Sequence, residues 1–515
     1  MNKLLLTLLA WLFLSPSASA QPFNYLHTYG DSLVDDARNI LLRSDNSLFV
    51  SGACYSQSSH YWDTANAMWM NISSNGASLL SKNNVRVDGL NTWTLYSGNV
   101  KQVPDIGYVL PYTFQFYPDS GRWYEWAALI ALNFQMDTIF TKTFTDTSLY
   151  GEQLYDCDVL PTGGFILAGA QHSSYTSNQL TPPSGMIIRL DAMGNLVWKQ
   201  TYHEQTGVYS YFQSVQPLDN DRTLIGGCSG ELDGYYRDRP WFLIINNSDG
   251  SITKDTLYTS GSHSWGMIYK DVNGGFYHNG CKDTLLTSSA MDRENFPPYI
   301  AKLDTNFNIT WQTVFPYIGS AVPDNIWRSR QLQNGDYLVC GSAWFLPDST
   351  AERWKGWAAR INSSGSILWS KYYVANNWIT GNIFDFVERT DGNIIFCGQA
   401  YTDSLYNWRT PDVWLLGIDA NGDILEENTF ANNAGSRAIS IDIYPNPTAG
   451  SFSLETPEDG LAEVFDMNGK LLASYPVIHG KSNLHIGKTA APGNYLLQFS
   501  GAKSGLMAGK RLVIE

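Results

Sequence analysis

Trp62, Trp123, Tyr235, Tyr236, Arg237, Trp344, Trp354, Trp408 and Arg409 fall in irregular polar stretches beside acidic side chains. Flat rings stack on sugar faces, while carboxylates and guanidinium groups bind hydroxyls. The stretches read HYWD at 60–63, GRWYE at 121–125, ELDGYYRDR at 231–239, MDREN at 291–295, WFLPDSTAERW at 344–354 and YNWRTPD at 406–412. For any single ring the competing use is packing of one long connection on another. Asp63, Glu125, Glu231, Asp233, Asp292, Glu294 and Glu352 lie in the same stretches. A glycoside hydrolase or lyase would draw its two carboxylates from such a pool, and the sequence singles out no pair.

Other chemistries lack their signatures. There is no GxSxG elbow, no HExxH or other two-histidine ligand spacing, and no CxxC pair, so no catalytic motif, metal site or cofactor is read. DANGD at 419–423 has the look of a calcium loop without its remaining ligands, and is expected to be an Asx turn. The tight turns also miss the sialidase Asp-box spacing, because Trp falls four residues after Gly194 and Gly365 instead of three. A formal charge of -15, with Lys and Arg scattered singly, argues against a nucleic-acid partner. The aromatic content of 14% argues against a disordered chain.

What positions the candidate residues is a repeat. A turn followed by an aromatic-aliphatic strand closing on Gly recurs as NSLFVSG at 46–52, GGFILAGA at 163–170, RTLIGGC at 222–228, GGFYHNG at 274–280, GDYLVCG at 335–341 and GNIIFCG at 392–398. In GYVLPY at 107–112 the Gly is replaced by Tyr112. A second phrase, an apolar strand, a polar turn and another strand, opens its turn at Ser73, Asn133, Asp191, Asn247, Asp304, Asn362 and Asp419. Seven residues after each anchor come Leu80, Phe140, Trp198, Lys254, Trp311, Trp369 and Glu426, where an outer strand would pack on its neighbour.

Each unit holds about four strands, which predicts an all-β fold, a seven-bladed β-propeller over 21–430. PFNYLHTYG at 22–30 is one outer-strand copy too many, with Tyr29 matching Tyr202, and is expected to pair with the last blade. Turns such as TGG at 162–164 and SSG at 363–365 put the short connections on one face. The long connections, which carry the nine candidates, share the other. Cys54, Cys228, Cys281, Cys340 and Cys397 fall near one equivalent strand position, and with Cys157 are expected to be buried thiols.

The ends of the chain carry addresses. Lys3, the apolar run Leu4 to Leu14 and Ala18-Ser19-Ala20 read as a signal peptide over 1–20, cleaved between Ala20 and Gln21. No later apolar run is long enough to span a bilayer, so the mature chain is expected to lack a transmembrane segment. After a polar linker at 431–440, residues 441–515 hold six or seven short strands, with turns at Asn468-Gly469 and Gly493-Asn494. These predict a small C-terminal immunoglobulin-like β-sandwich.

YPNPTAGSFSLE, VFDMNGKLL, PGNYLL and GKRLVIE resemble the type A C-terminal sorting domain of Bacteroidetes type IX secretion. Tyr444, Pro445, Asn446, Pro447, Gly450, Asp466, Gly469, Gly493, Tyr495 and Lys510 occupy its motif positions, with Lys470 where an Arg is usual. The resemblance implies type IX secretion machinery as a partner and export through the periplasm. It also implies removal of the tail, with release or anchoring to surface lipopolysaccharide. The body resembles an uncharacterised exported repeat of the pattern DGGyilaG…LDsnGnivW. The expectation is a secreted or cell-surface binding module for a glycan or protein ligand. The alternatives are a polysaccharide-active enzyme on the same scaffold and a structural surface-layer component.

Overall fold

The computed structural model describes residues 26–29, 35–55, 65–76, 78–85, 92–104, 106–116, 124–144, 151–172, 175–176, 179–180, 182–203, 209–230, 239–258, 266–281, 297–316, 321–345, 354–373, 380–401, 411–425, 441–465, 471–486, 491–501 and 507–514. Every regular element among them is a β-strand. The chain divides into two compact units, one holding Leu26–Ile424 and the other Leu425–Glu515.

Seven antiparallel four-stranded sets follow one another in the first unit, all built by hairpin succession. The first is Asp35–Leu42, Leu48–Tyr55, Ala65–Ile72 and Leu79–Val85. The second is Thr92–Ser97, Gly107–Phe116, Tyr124–Leu132 and Thr138–Thr143, with Lys101–Val103 resuming its interrupted leading strand. The third, Gly151–Val159, Phe165–His172, Ser184–Leu190 and Leu196–Tyr202, joins the second through one parallel bridge, Gly151 to Glu125. The fourth is Tyr209–Pro217, Arg222–Gly230, Arg239–Asn246 and Ile252–Leu257. The fifth is Met267–Lys270, Phe276–Cys281, Pro298–Leu303 and Ile309–Val314. The sixth is Ala321–Gln331, Tyr337–Phe345, Trp354–Ile361 and Ile367–Tyr373. In the seventh, Thr380–Glu388, Ile394–Tyr401 and Pro411–Ile418 take Leu26–Tyr29 as their fourth strand. The extra outer-strand phrase therefore does pair with the last sheet, Tyr29 lying opposite Val413.

Local chemistry accounts for the turns. Asp191 Oδ1 accepts from the Met193 and Asn195 amides, and Asp304, Asn362 and Asp419 repeat this at their own turns. The DANGD segment is thus an Asx turn. The fourth copy departs from the expected anchor: Asn246 closes the turn, one residue longer, and Asn247 is buried against Thr223.

Packing explains the repeated Gly. In five sheets the leading strand bulges, and the residue before the bulge faces that Gly: Ala37 with Gly52, Leu154 with Gly169, Phe212 with Gly227, Ile326 with Gly341, and Ile383 with Gly398. The bulge turns a leading-strand carbonyl toward the glycine, so a Cβ at Gly341 would overlap the Asn325 oxygen. On the other side of the Gly, the third strand supplies a large residue, Trp241, Trp357 or Trp414. The second sheet inverts this pairing: Tyr112 stands in the Gly position and Ala128 opposite it. Tyr112 instead donates to the Gly52 and Met68 carbonyls of the first sheet, at 3.1 and 3.2 Å.

Apolar layers fill the junctions between successive sheets, for example Phe49, Trp69, Tyr108 and Leu110 between the first and second. At the outer strands, Tyr202 donates to the Gly250 carbonyl at 2.7 Å and Tyr373 to Gly422 at 2.9 Å. Tyr29 makes the same bond to Gly76 of the first sheet. Trp311 and Trp369 lie against Gly365 and Gly422, Phe140 against Gly194, as the spacing predicts, whereas Leu80 is exposed. Asp385 Oδ2 accepts from the Ile40 amide at 3.1 Å, and Arg389 donates to the Ser74 carbonyl at 2.7 Å. Seventh and first sheets are therefore neighbours. All six cysteines are buried free thiols.

In the second unit, Asp442–Tyr444, Ser451–Thr456 and Gly480–His485 form one sheet. Gly460–Phe465, Leu471–Val477, Gly493–Gly501 and Met507–Ile514 form another. Phe452 and Leu454 of the first share a core with Val464, Leu497, Phe499 and Leu512 of the second. Gly493-Asn494 is not a turn: both residues pair in the sheet, opposite Ile514 and Val513.

Candidate functional site

The leading strands stand at the edges of their four-stranded sets, the third meeting the second set only through the Gly151 to Glu125 bridge, and the bulge residues are left out of the ladder. Five such residues gather chemistry: Arg38, Tyr155, Gln213, Trp327 and Phe384. The Arg38 guanidinium sits 4.0 Å over the Phe384 ring, and Trp327 meets that ring edge-on at 5.6 Å. Three successive sheets (sixth, seventh and first) thus contribute to one patch. On the third and fourth sheets, Tyr155 lies 6.4 Å from Tyr211, which stacks on Tyr209 at 6.2 Å. Tyr155 also donates to Gln153, whose amide donates to Glu125 at 2.8 Å.

Arg38 is held by Asp36, at 2.7 Å through Nε and 2.6 Å through Nη2. Burial pushes the Asp36 carboxyl above its usual range, against the pull of Arg38. Among the described residues none donates to Asp36 Oδ1 and none bonds the Gln213 amide, although both are buried. Buried acceptors and donors of this kind are costly unless something completes them. Aromatic rings together with such buried polar atoms are a chemistry suited to a hydroxylated ligand.

Closer to the tight turns, the leading strands carry charge. Asp385 takes Arg328 Nε at 3.1 Å and Arg330 Nη2 at 2.8 Å. Lys101 reaches Asp158 at 3.1 Å, and Asn99 donates to Asp156 at 2.7 Å. Burial raises the Asp156 carboxyl to about 6, with Lys101 opposing the rise. Burial also works against the Lys101 charge, but Asp158 and Asp156 more than offset it.

The tail's motif residues are structural fasteners. Lys510 donates to the Ile441 carbonyl at 2.7 Å and to Asp442 Oδ1 at 2.6 Å. Asn446 Oδ1 accepts from the Val513 amide at 2.8 Å, and Tyr495 donates to the Ala491 carbonyl at 2.6 Å. Tyr444-Pro445 and Asn446-Pro447 are cis, and Gly450 has φ 100°. First and last strands of the tail are thereby tied together. Asp466 and Gly469 lie outside the described residues.

Of the nine ligand candidates, Trp62, Trp123, Tyr235, Tyr236, Arg237, Trp408 and Arg409 lie outside the described residues. Trp344 and Trp354 are register partners at the end of the sixth sheet's central hairpin, and only their backbone is described. Of the carboxylate pool, Glu125 alone is described, buried beside Gln153. The signal segment 1–20 with Ala20 and Gln21, and the linker 431–440, are also outside. The bulge residues were missed because no motif marks them. Their signal is a spacing: Arg38, Tyr155, Gln213, Trp327 and Phe384 each stand fourteen positions before Gly52, Gly169, Gly227, Gly341 and Gly398.

Residues 442–515 match the secretion system C-terminal sorting domain family. The tail is such a domain, as its four motif blocks indicated, and it implies export to the cell surface or beyond and interaction with the secretion machinery. No curated protein matches the chain. Among solved structures, a Bacteroides caccae protein of unknown function is 14% identical, covering 58% of this chain and 89% of its own, at TM-score 0.34. The Penicillium chrysogenum alpha-L-arabinanase is 13% identical, covering 64% and 94%, at TM-score 0.38. PorZ, a surface component of the Porphyromonas gingivalis type IX secretion system, is 9% identical, covering 94% and 87%, at TM-score 0.19. No helix among the described residues is long and apolar enough to cross a membrane.

Proposed function

We propose that the chain is an exported glycan-binding module: a seven-bladed β-propeller over 21–430, delivered by type IX secretion through an immunoglobulin-like sorting sandwich at 441–515. Residues 1–20 serve as the signal peptide and 431–440 as the linker. Closure of the ring is supported by the pairing of Leu26–Tyr29 with the last sheet and by the Asp385 to Ile40 bond. In a propeller the leading strands surround the axis, so the bulge residues form a collar beneath the long connections. The observation that carries the reading is this collar. Trp327, Tyr155 and Tyr211 are partly exposed rings, with Phe384 backing Trp327, while Asp36 Oδ1 and the Gln213 amide have no partner among the described residues. Sugar rings supply both an apolar face and hydroxyls, which matches that combination. The long-loop candidates Trp62, Trp123, Tyr235, Tyr236, Arg237, Trp344, Trp354, Trp408 and Arg409 belong, in this reading, to the long-loop face that takes the ligand.

The test is a glycan array probed with the full chain and with Trp327→Ala and Arg38→Ala, each first shown to be folded by thermal melting. Retention of at least one glycan, weakened about tenfold in each variant, is expected, equivalent to ~1.4 kcal/mol. A blank array, or retention unchanged in both variants, removes the reading. Shortened glycans in the eluate would move it from binding to hydrolysis or lyase chemistry.

A further inference from the structure

In six of the seven sheets the third strand and the outer strand open on one register pair. These are Ile72 with Leu79, Leu132 with Thr138, Leu190 with Leu196, Ile245 with Ile252, Leu303 with Ile309 and Ile361 with Ile367. Six residues further along the outer strand, five of these sheets place an aromatic: Phe144, Tyr202, Tyr258, Phe315 and Tyr373. Tyr202 and Tyr373 face Gly185 and Gly356 there, and the Phe144, Tyr258 and Phe315 amides bond the Ala127, Pro240 and Pro298 carbonyls.

The seventh sheet begins the same hairpin. Its turn closes from Asp419 to Asp423, and Ile418 bridges Ile424 in the opening position. Counting on, the chain reads Glu426-Glu427-Asn428-Thr429-Phe430, so Phe430 falls six residues after Ile424 and its place is opposite Val413. Residues 426–430 lie outside the described residues, and Val413 is paired with Tyr29. Thr28-Tyr29 and Thr429-Phe430 both match Thr143-Phe144 and Thr201-Tyr202. Two segments, one from each end of the body, therefore fit the same edge of Pro411–Ile418.

The two are not equal. Tyr29 donates its hydroxyl to the Gly76 carbonyl of the first sheet, as Tyr202 and Tyr373 do to Gly250 and Gly422 of the sheets that follow theirs. Phe430 has no hydroxyl to give. Trp311 and Trp369, two residues into their outer strands, lie against Gly365 and Gly422. The seventh phrase has Glu426 at that position, and a carboxylate there would lose water without gaining the packing. Order of formation favours the other segment. A hairpin over 411–430 closes a short loop, whereas Leu26–Tyr29 must return across the whole body.

We infer that the seventh sheet is a strand-exchange switch: its own 426–430 fills the outer position first, and Leu26–Tyr29 then displaces it. Either segment satisfies the outward backbone groups of Pro411–Ile418, so the exchange leaves no bare edge. Displacement hands 425–430 to the 431–440 linker, and the connection to the sorting tail gains a stretch that a protease can enter.

Hydrogen exchange read by mass spectrometry, with Glu-specific proteolysis, tests this on the full chain. In the unaltered chain the amides of 426–430 are expected to exchange freely, with fast cleavage after Glu426 or Glu427. Of two successive strand residues one directs its N–H at the neighbouring strand, so His27→Pro with Thr28→Pro breaks the N-terminal pairing. In that variant 426–430 should gain protection and resist cleavage by about tenfold or more, while the amides of 412–418 stay protected. Glu426→Trp with Phe430→Tyr supplies the missing ring and hydroxyl, and should make the Leu26–Tyr29 amides exchange about tenfold faster with the N-terminus intact. Protection of 426–430 in the unaltered chain overturns the switch. So does an unprotected 426–430 in the proline variant, failure of that variant to fold, or unchanged exchange at Leu26–Tyr29 in the second variant.

Discussion

Body and tail are both β-structure, yet they are held together differently. In the tail two sheets share one apolar core, with Phe452, Leu454, Val464, Leu497, Phe499 and Leu512 inside, and polar fasteners such as Lys510 sit at its surface. Among the described residues of the body the apolar side chains form several separate clusters. Apolar layers alternate with sheets, and buried charge runs along the leading strands. A sandwich can satisfy its backbone within two sheets and bury apolar side chains between them. In the body the leading strands crowd the backbone of the next strand, which requires glycine, and their polar groups find partners on neighbouring sheets. Substitutions of like chemistry should therefore cost more in the body than in the tail.

The largest difference is expected at glycines. Gly341→Val would drive a side chain into the Asn325 carbonyl, and is expected to abolish folding of the body, measured by expression and chemical denaturation. Gly480→Ala in the tail meets nothing within 4 Å and bears only the φ of 88°, a cost of about 1–2 kcal/mol. Equal losses would contradict the contrast. Charge comes next. Asp385→Ala removes the only carboxylate that the described residues give Arg328 and Arg330, and should cost about 3–5 kcal/mol. Lys510→Met, whose partner Asp442 is largely exposed, should cost at most about 1 kcal/mol in urea unfolding.

A third difference is in pH. Asp156, facing Lys101, Asp158 and Arg328, has its folded-state carboxyl raised from 3.8 to about 6, so the fold binds this proton more tightly than the unfolded chain does. That contribution is present below about pH 4 and is lost as pH rises through 6, an effect on the order of 1–3 kcal/mol. Asp156→Asn should flatten this slope in the body's unfolding transition, and a slope unchanged by the substitution would show that another group carries it. The smallest effect concerns closure. Tyr29→Phe and Tyr202→Phe remove the same hydrogen bond at equivalent positions, and each should lower stability by about 0.5–1.5 kcal/mol. A silent Tyr29→Phe beside a destabilising Tyr202→Phe would mean that the N-terminal strand is a loose clasp.

Much of this was legible beforehand because periodic constraints leave periodic residues. The recurring Gly, the Asx anchors and the match of Tyr29 to Tyr202 all foretold elements that the structure contains. Asn247 misled because its turn is one residue longer, which moves the anchor to Asn246. Gly493 misled because glycine also opens strands. The bulge residues escaped notice because Arg38, Tyr155, Gln213, Trp327 and Phe384 share a position and no chemistry, so only their spacing to the Gly relates them.

By itself the sequence determined the repeat, its strand content, the N-terminal strand that joins the last sheet and the sorting tail, since these depend on local turn chemistry, alternation and motif. Tertiary structure decided why the Gly is required, how Tyr112 and Ala128 exchange sizes, and which charged side chains meet. Those depend on distances between strands, within one hairpin for Gly341 and Asn325, where a bulge of one residue re-aims a carbonyl, and between first and last sheets for Ile40 and Asp385.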